Sequence, residues 1–211
     1  MKDIPFFPTQ HGVASLVLKE IPYQQTAYIT IQDTTEPNDL LAECCAFCRA
    51  CGAEKIYATG HSGLEDRPLL TAMWEMKRDL AGIPDTDAAL WPVQDQTLER
   101  WRDIYNDKVK KVPNGAWMTH SDGQKMLEKG DGYFVHRNGQ LLGIGRASGE
   151  TIDWVASVFP GAGRDVVCAL IHALTGDTVT LTVASANMKA VNLYETLGFL
   201  KTTELSRWFE V

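Results

Sequence analysis

Long apolar runs are missing from this chain: no stretch approaches the ~18 residues that a membrane span requires. The opening MKDIPFFPTQH lacks the basic start and apolar centre of a signal peptide, so a cytoplasmic protein with no membrane partner is expected. Positive charge is also scarce. Lys and Arg number 20 against 27 Asp and Glu, leaving a formal charge of −7. A dedicated nucleic-acid binder would want a basic stripe to displace counterions, and that class is set aside. A small anionic ligand is still admissible, because backbone dipoles hold one inside an acidic protein. Cationic partners gain mild steering.

The ligands for a zinc site are incomplete. Cys44, Cys45, Cys48 and Cys51 crowd the segment LLAECCAFCRACG, yet no histidine pair and no second CxxC is present to close a tetrahedron. Positions 44, 48 and 51 share one helical face, where cysteine behaves as a small hydrophobe. A core helix without metal is expected. The odd total of 5 cysteines also speaks against a disulfide framework.

What is present suffices for a core. The chain has 211 residues, 45% of them apolar and 22% charged, which suits one large domain or a domain plus a fragment. It reads as two unequal parts, 1–86 and 87–211. In the first, GVASLVLKEI and TAYITIQ are strands joined through a turn at Pro22–Gln25. Pro37-Asn38-Asp39 opens the cysteine helix, Gly52 ends it, KIYATG is a strand, and LLTAMWEMKRDL has the spacing of a looser helix. Gly82-Ile83-Pro84-Asp85 makes a joint.

In the second part a short strand at Leu90–Val93 precedes LERWRDIYNDKVKK, helical through Leu98, Trp101, Ile104, Tyr105 and Val109. Pro113-Asn114-Gly115 stops it, and Ser121-Asp122 can cap a short helix through Leu127. Asn138-Gly139 inside GYFVHRNGQLLGIGRA is a strong hairpin signal. TIDWVASV alternates, with Ile152, Trp154, Ala156 and Val158 on one side. RDVVCALIHAL is an apolar helix closed by Gly176, TVTLTVA a strand, and LKTTELSRWFEV a strand-rich tail. The order β-α-α-β-β-β-α-β-α-β implies an α/β (mixed α+β) fold. Two strands, a helix, a glycine stop and a strand recur at 12–60 and 140–186, a topological echo with barely matching residues.

Two stretches carry candidate chemistry. Gly161-Ala162-Gly163 lies between an alternating strand and an apolar helix, where glycines admit close backbone approach and the helix start offers unpaired N–H groups to a phosphate. No lysine followed by serine or threonine comes after it, so a Walker loop is excluded, and the third glycine of a dinucleotide fingerprint is missing. A plain strand-to-helix turn is the competing reading. The second stretch, NMKAVNLYETLGF, has an apolar face in Val191, Tyr194 and Leu197 and adds Asn187 and Asn192, which packing does not require. If the crossover is right-handed, its strand lies beside the strand entering the glycine turn. Diverging ends there would leave a slot for a thin amide chain, with a phenol as a sensible acid for a thiolate.

FPGAGRDVVCALIHAL followed by TLTVASANMKAVNLYETLGF resembles the acetyl-CoA-binding half of a GNAT-type N-acetyltransferase. The match reads Ala186-Asn187, Ala190, Leu193-Tyr194-Glu195 and Gly198-Phe199. The element order from about residue 89 to 211 is similar to that whole fold, and residues 1–86 resemble a second, incomplete unit. The resemblance implies a mixed, mostly antiparallel sheet with helices on both faces and splayed central parallel strands. It also implies acetyl-CoA as co-substrate, no metal, and a small-molecule or peptide amine as acceptor. The amine would attack directly, with N–H groups of the 155–158 strand, those of Val155, Ser157 and Val158 among them, stabilising the oxyanion. Gly161, Ala162, Gly163, Arg164 and Asp165 would cradle the pyrophosphate, with Val158 at the family's Gln/Arg position. Asn187 and Asn192 would contact the cofactor arm, and Tyr194 would protonate the departing sulfur.

Glu150 and Asp153, near the start of the entering strand, are the candidate bases, against a solvated hairpin end. Tyr194 could equally be packing, and His172 on the apolar helix is expected to be structural. A GNAT-like module that binds acyl-CoA without turnover, and a purely structural or interaction protein, are the rival functions. Oligomeric state is open, a homodimer being one arrangement the scaffold allows.

Overall fold

The computed structural model describes residues 1–112 and 114–211, so Pro113, expected to end a helix, lies outside the described residues. The chain divides into two compact units, Met1–Met73 with Glu204–Val211, and Trp74–Thr203. This differs from a single cut at 86/87. The reason is that the strand Leu69–Asp79 crosses the first boundary and the last strand, Leu200–Glu210, crosses the second.

The first unit starts with β1 (Ile4–Thr9), β2 (Gly12–Val17), a short helix α1 (Ile21–Gln24) and β3 (Thr26–Thr34). Helix α2 (Pro37–Ala50), β4 (Lys55–Thr59), the start of β5 (Leu69–Asp79) and the end of β11 (Leu200–Glu210) follow. β1–β2, β2–β3 and β4–β11 are antiparallel, while β3–β4 is parallel. Helix α2 is the crossover between those parallel strands. It buries Leu40, Leu41, Cys44, Cys45 and Cys48 against Leu16, Ile29, Ile31 and Ile56, so the cysteines do form a core face. Burial pushes the Cys44 thiol up to about 11 and Cys48 to about 12. The thiolate that a zinc ion requires is therefore the disfavoured form.

The second unit takes the rest of β5, then β6 (Ala89–Pro92), α3 (Leu98–Val109), α4 (His120–Lys129), β7 (Gly132–Arg137) and β8 (Gln140–Ser148). It continues through β9 (Thr151–Ser157), α5 (Gly163–His172), β10 (Thr178–Ala184) and α6 (Met188–Thr196) into the start of β11. Its strands neighbour one another in the order β5-β10-β9-β8-β7-β6. β9–β10 is parallel, while β6–β7, β7–β8 and β8–β9 are antiparallel. Alternation along β7, with an extra residue at Leu142 in β8 and at Asp153 in β9, sends side chains to two cores. Val135, Leu142 and Ile152 meet α5 and α6, whereas Phe134, Ile144 and Trp154 meet α3 and α4. The fold is thus a mixed, mostly antiparallel sheet with helices on both faces.

Four expectations change. Ile152 and Trp154, expected on one side of their strand, join opposite cores because Asp153 is an extra residue between them. LLTAMWEMKRDL is strand β5 rather than a helix. IPFFPT forms strand β1, which the sequence had not suggested. The turn at Pro22–Gln25 contains a single helical turn, closed by Gln25 in the left-handed region. The Asn138-Gly139 hairpin is found as expected, with φ of 50° and 79°. Val191, Tyr194 and Leu197 all face the core. The β2-β3-α2-β4 succession repeats the pairing pattern of β8-β9-α5-β10, so the echo is real at the level of topology.

Gly143 reports on how tightly α5 seats on the sheet. A Cβ there would lie 2.5 Å from the Ala156 carbonyl oxygen and 2.7 Å from Val166 Cγ2. Backbone cannot yield as a side-chain tip can, so overpacking costs about 1–3 kcal/mol. Gly143→Ala is expected to lower Tm by several degrees in a thermal melt, whereas Gly130→Ala, with open space around its Cβ, pays only for its positive φ of 66°.

Candidate active site

The parallel ladder between β9 and β10 is short. It holds at Thr151↔Thr180 and Ile152↔Leu181, next to a Thr180 N–H bond to the Glu150 carbonyl of 2.8 Å. Past that point no residue of β9 is paired with β10, although β9 runs on to Ser157 and β10 to Ala184. The cause is visible on the other side of β9. Arg146 pairs Trp154 but Ala147 pairs Ile152, so Asp153 is the extra residue of a β-bulge. A bulge bends its strand and increases the local twist, and this one turns β9 away where the ladder stops.

The bulge also resets which groups face the opening. Val158 N–H donates to the Leu142 carbonyl at 2.8 Å, so positions 158, 156 and 154 exchange bonds with β8. Val155 and Ser157 then direct their N–H and C=O groups to the β10 side, beyond the last ladder pair. They are the unpaired strand edge of a cleft. Val158 differs: its N–H is committed to Leu142, as is that of Phe159 at 3.0 Å, and neither is available to a ligand.

At the end of β9 the chain turns through Pro160 and Gly161, whose φ of 81° favours glycine. Helix α5 starts at Gly163 with no side-chain cap. Its first helical bond runs from Val166 N–H to the Ala162 carbonyl at 3.0 Å. The N–H groups of Gly163, Arg164 and Asp165 therefore have no helical acceptor and carry the positive end of the dipole. The Ala162 N–H is used locally, on the Phe159 carbonyl at 3.2 Å. Gly163 serves packing as well, since a Cβ would sit 3.1 Å from Leu193 Cδ2 on α6. Arg164 is exposed and enters no ion pair among the described residues. Asp165 turns its carboxylate to Arg137 at 3.1 Å, and Arg137 also reaches Asp87 at 3.1 Å. One guanidinium shared by two carboxylates leaves this cluster with a net negative charge, so Arg137 offsets the Asp165 charge only in part.

Helix α6 follows β10 directly. Asn187 is its N-cap, the side-chain oxygen accepting from Ala190 N–H at 3.3 Å. Asn192 is exposed. Tyr194 is 7% exposed, its ring 5.8 Å from that of Phe199, and burial pushes the phenol up to about 12. The hydroxyl stays protonated at neutral pH and is a proton donor, not a base. The C-terminal end of α6 is held by Arg78, whose guanidinium donates to the Leu197 carbonyl.

The two candidate bases are separated. Glu150 is at the far end of β9, its side chain against Gly176. At ~3.3 Å per residue it is roughly 23 Å along the strand from Ser157. Asp153 is the bulge residue itself, two positions before Val155, and is exposed; the nearby Arg146 guanidinium is taken up by Asp131 at 2.7 Å. His172 is on the last turn of α5, its Nε2 3.4 Å from the Pro84 carbonyl, a structural position. The bulge, the Arg137–Asp165 pair and Arg78 were not visible in the sequence.

The parallel pair of the first unit offers an internal control. β3 and β4 are paired from Thr26↔Lys55 through Thr30↔Thr59, and Gly60 packs against the Ile31 backbone. β4 is thus paired to its last residue, and no unpaired length of it faces β3.

No protein-family model matches the chain, and no curated protein matches it in sequence. Solved structures do. A functionally unknown conserved protein from Staphylococcus epidermidis superposes with a TM-score of 0.62 at 10% identity, over 97% of this chain and 91% of that one. A GCN5-related N-acetyltransferase from Sphaerobacter thermophilus gives 0.56 at 13% identity, over 94% and 75%. A tandem GNAT protein from the clavulanic acid biosynthesis pathway gives 0.54 at 14%, over 95% and 78%. The chain has the GNAT fold, in a two-unit form.

Asn187 separates a cap from a ligand contact. Asn187→Ala should cost about 1 kcal/mol of stability in denaturant melts, and Asn187→Asp should restore it. An unchanged melt for the alanine variant would show that the cap contributes nothing.

Proposed function

We propose that the protein is an N-acetyltransferase that moves an acetyl group from acetyl-CoA to a primary amine by direct attack. The observation that carries this reading is a strand edge at Val155 and Ser157, opened by the Asp153 bulge beside the uncapped start of α5. The donors fit the co-substrate. N–H groups of Gly161, Gly163, Arg164 and Asp165 suit a pyrophosphate, and Val155 and Ser157 suit the amides of a pantetheine arm, with Asn187 and Asn192 at its other side.

The amine nitrogen attacks the thioester carbonyl, whose developing negative oxygen is held by a β9 N–H. As the C–S bond breaks, Tyr194 gives its proton to the sulfur. The proton lost by the amine passes to Asp153, directly or through water, since Glu150 is too far along the strand. The acceptor is a small-molecule or peptide amine, favoured by the acidic chain, and the setting is cytoplasmic. No helix among the described residues is long and apolar enough to cross a membrane.

One observation favours the second reading, an acyl-CoA-binding module without turnover: Tyr194 is 7% exposed, with little of the phenol open to a sulfur.

Titration with acetyl-CoA should show one equivalent bound per chain, because β4 of the first unit is paired to β3 along its whole length, whereas β9 and β10 both run on past their last pair. At ~100 times Kd it should stabilise the protein by about 2.7 kcal/mol. Tyr194→Phe should lower kcat about 100-fold while CoA affinity holds. Because burial raises Tyr194, its proton-donating form persists to higher pH, so turnover should climb as the amine deprotonates and not fall below about pH 10. Absence of CoA binding would overturn both readings. Binding without thiol release across an amine panel would leave the second.

A further inference from the structure

A cavity of about 380 Å3 lies at the other edge of the second unit, on the α3 side of β6 and β7. That size falls within the ~300–1,000 Å3 of small-molecule sites. Trp91, Phe134 and His136 form its floor, and Gln94, Thr97 and Arg100, from the start of α3 and the turn before it, form one wall. It is two to three strands from the β9 edge, in the order β9-β8-β7-β6, so the acetyl-transfer proposal does not absorb it.

Three features here are unexplained by folding. Trp91 is 62% exposed, its ring 5.6 Å from that of His136, which leaves an aromatic face without a protein neighbour on one side. The Nδ1 atom of His136 is buried and has no hydrogen-bond partner among the described residues. Such an atom costs stability unless something completes it. Arg100 is exposed and forms no ion pair among the described residues, although this is an acidic chain whose other wall and floor residues carry no formal charge at neutral pH. His136 is neutral there, because burial and the Arg100 charge both push its imidazole down. Arg100 is thus the single charge of an otherwise aromatic and neutral cavity.

We propose that this cavity binds a flat aromatic carboxylate, its ring on Trp91 and His136 and its carboxylate on the Arg100 guanidinium. A guanidinium offers a planar fork of donors that matches a carboxylate. A cationic aromatic is disfavoured by Arg100, and a neutral one leaves the guanidinium unpaired.

The test is calorimetry and saturation-transfer NMR on the full chain with benzoate, 4-hydroxybenzoate and indole-3-acetate, each beside its neutral amide. At least one carboxylate should bind, its amide about tenfold more weakly. Arg100→Gln and Trp91→Ala, both at exposed positions, should keep the wild-type Tm yet weaken the carboxylate about tenfold. Saturating CoA should leave that binding in place, and Arg100→Gln should leave CoA affinity unchanged, so failure here is separable from failure of the acetyl-transfer reading. No carboxylate bound at ~10 mM, equal affinity for acid and amide, retention in Arg100→Gln, or displacement by CoA would each overturn the assignment.

Discussion

One extra residue in one strand sets up the candidate site. Asp153 bulges out of β9, and the strand that begins paired to β10 at Thr151 and Ile152 ends with an open edge. Without the bulge, the parity of β9 would place the groups of Trp154 and Ala156, not Val155 and Ser157, on the β10 side. The antiparallel ladder to β8 pays nothing further for this, since it resumes at Trp154 and continues to Ser157. An open edge is normally a liability in a sheet. Here it is interior to the strand order, so it can meet a ligand and not another sheet.

The two units make the same supersecondary unit and use it differently. Both thread an antiparallel pair, a crossover helix and a parallel strand. In the first unit β4 is paired along its whole length, Lys55 to Thr59, although β3 runs on to Thr34, and α2 faces the ladder with leucines and buried cysteines. Its register with β2 does shift, between Val13 and Ala14, but Thr26 to Thr30 stay in step with β4. In the second, the same geometry ends in a gap flanked by an uncapped helix start. Fold alone does not assign activity, and the difference between the units lies in where pairing stops.

Much of this was legible in the sequence, for local reasons. Asn138-Gly139 fixes its turn through positive φ at both residues, and Val191, Tyr194 and Leu197 fix the buried face of α6 through spacing. Asn187 was singled out as a contact for the cofactor arm, and the role seen is a cap, which any asparagine before a helix can supply. LLTAMWEMKRDL misled because Leu, Ala, Met, Glu and Lys favour helix, while its neighbours in the sheet impose a strand. IPFFPT was hidden by Pro5 and Pro8, which an edge strand tolerates because one row of its N–H groups is unused. The bulge has no local signature. It is a mismatch of count between two strands, and single-strand alternation in TIDWVASV even argues against it.

Amide hydrogen exchange at Val155 and Ser157 tests the open edge most directly. Both amides should exchange much faster than those of Trp154 and Ala156 in the free protein, and slow when acetyl-CoA is added. Protection already equal to that of Trp154 and Ala156 without the co-substrate would mean that β9 and β10 are closed together, and would contradict the account.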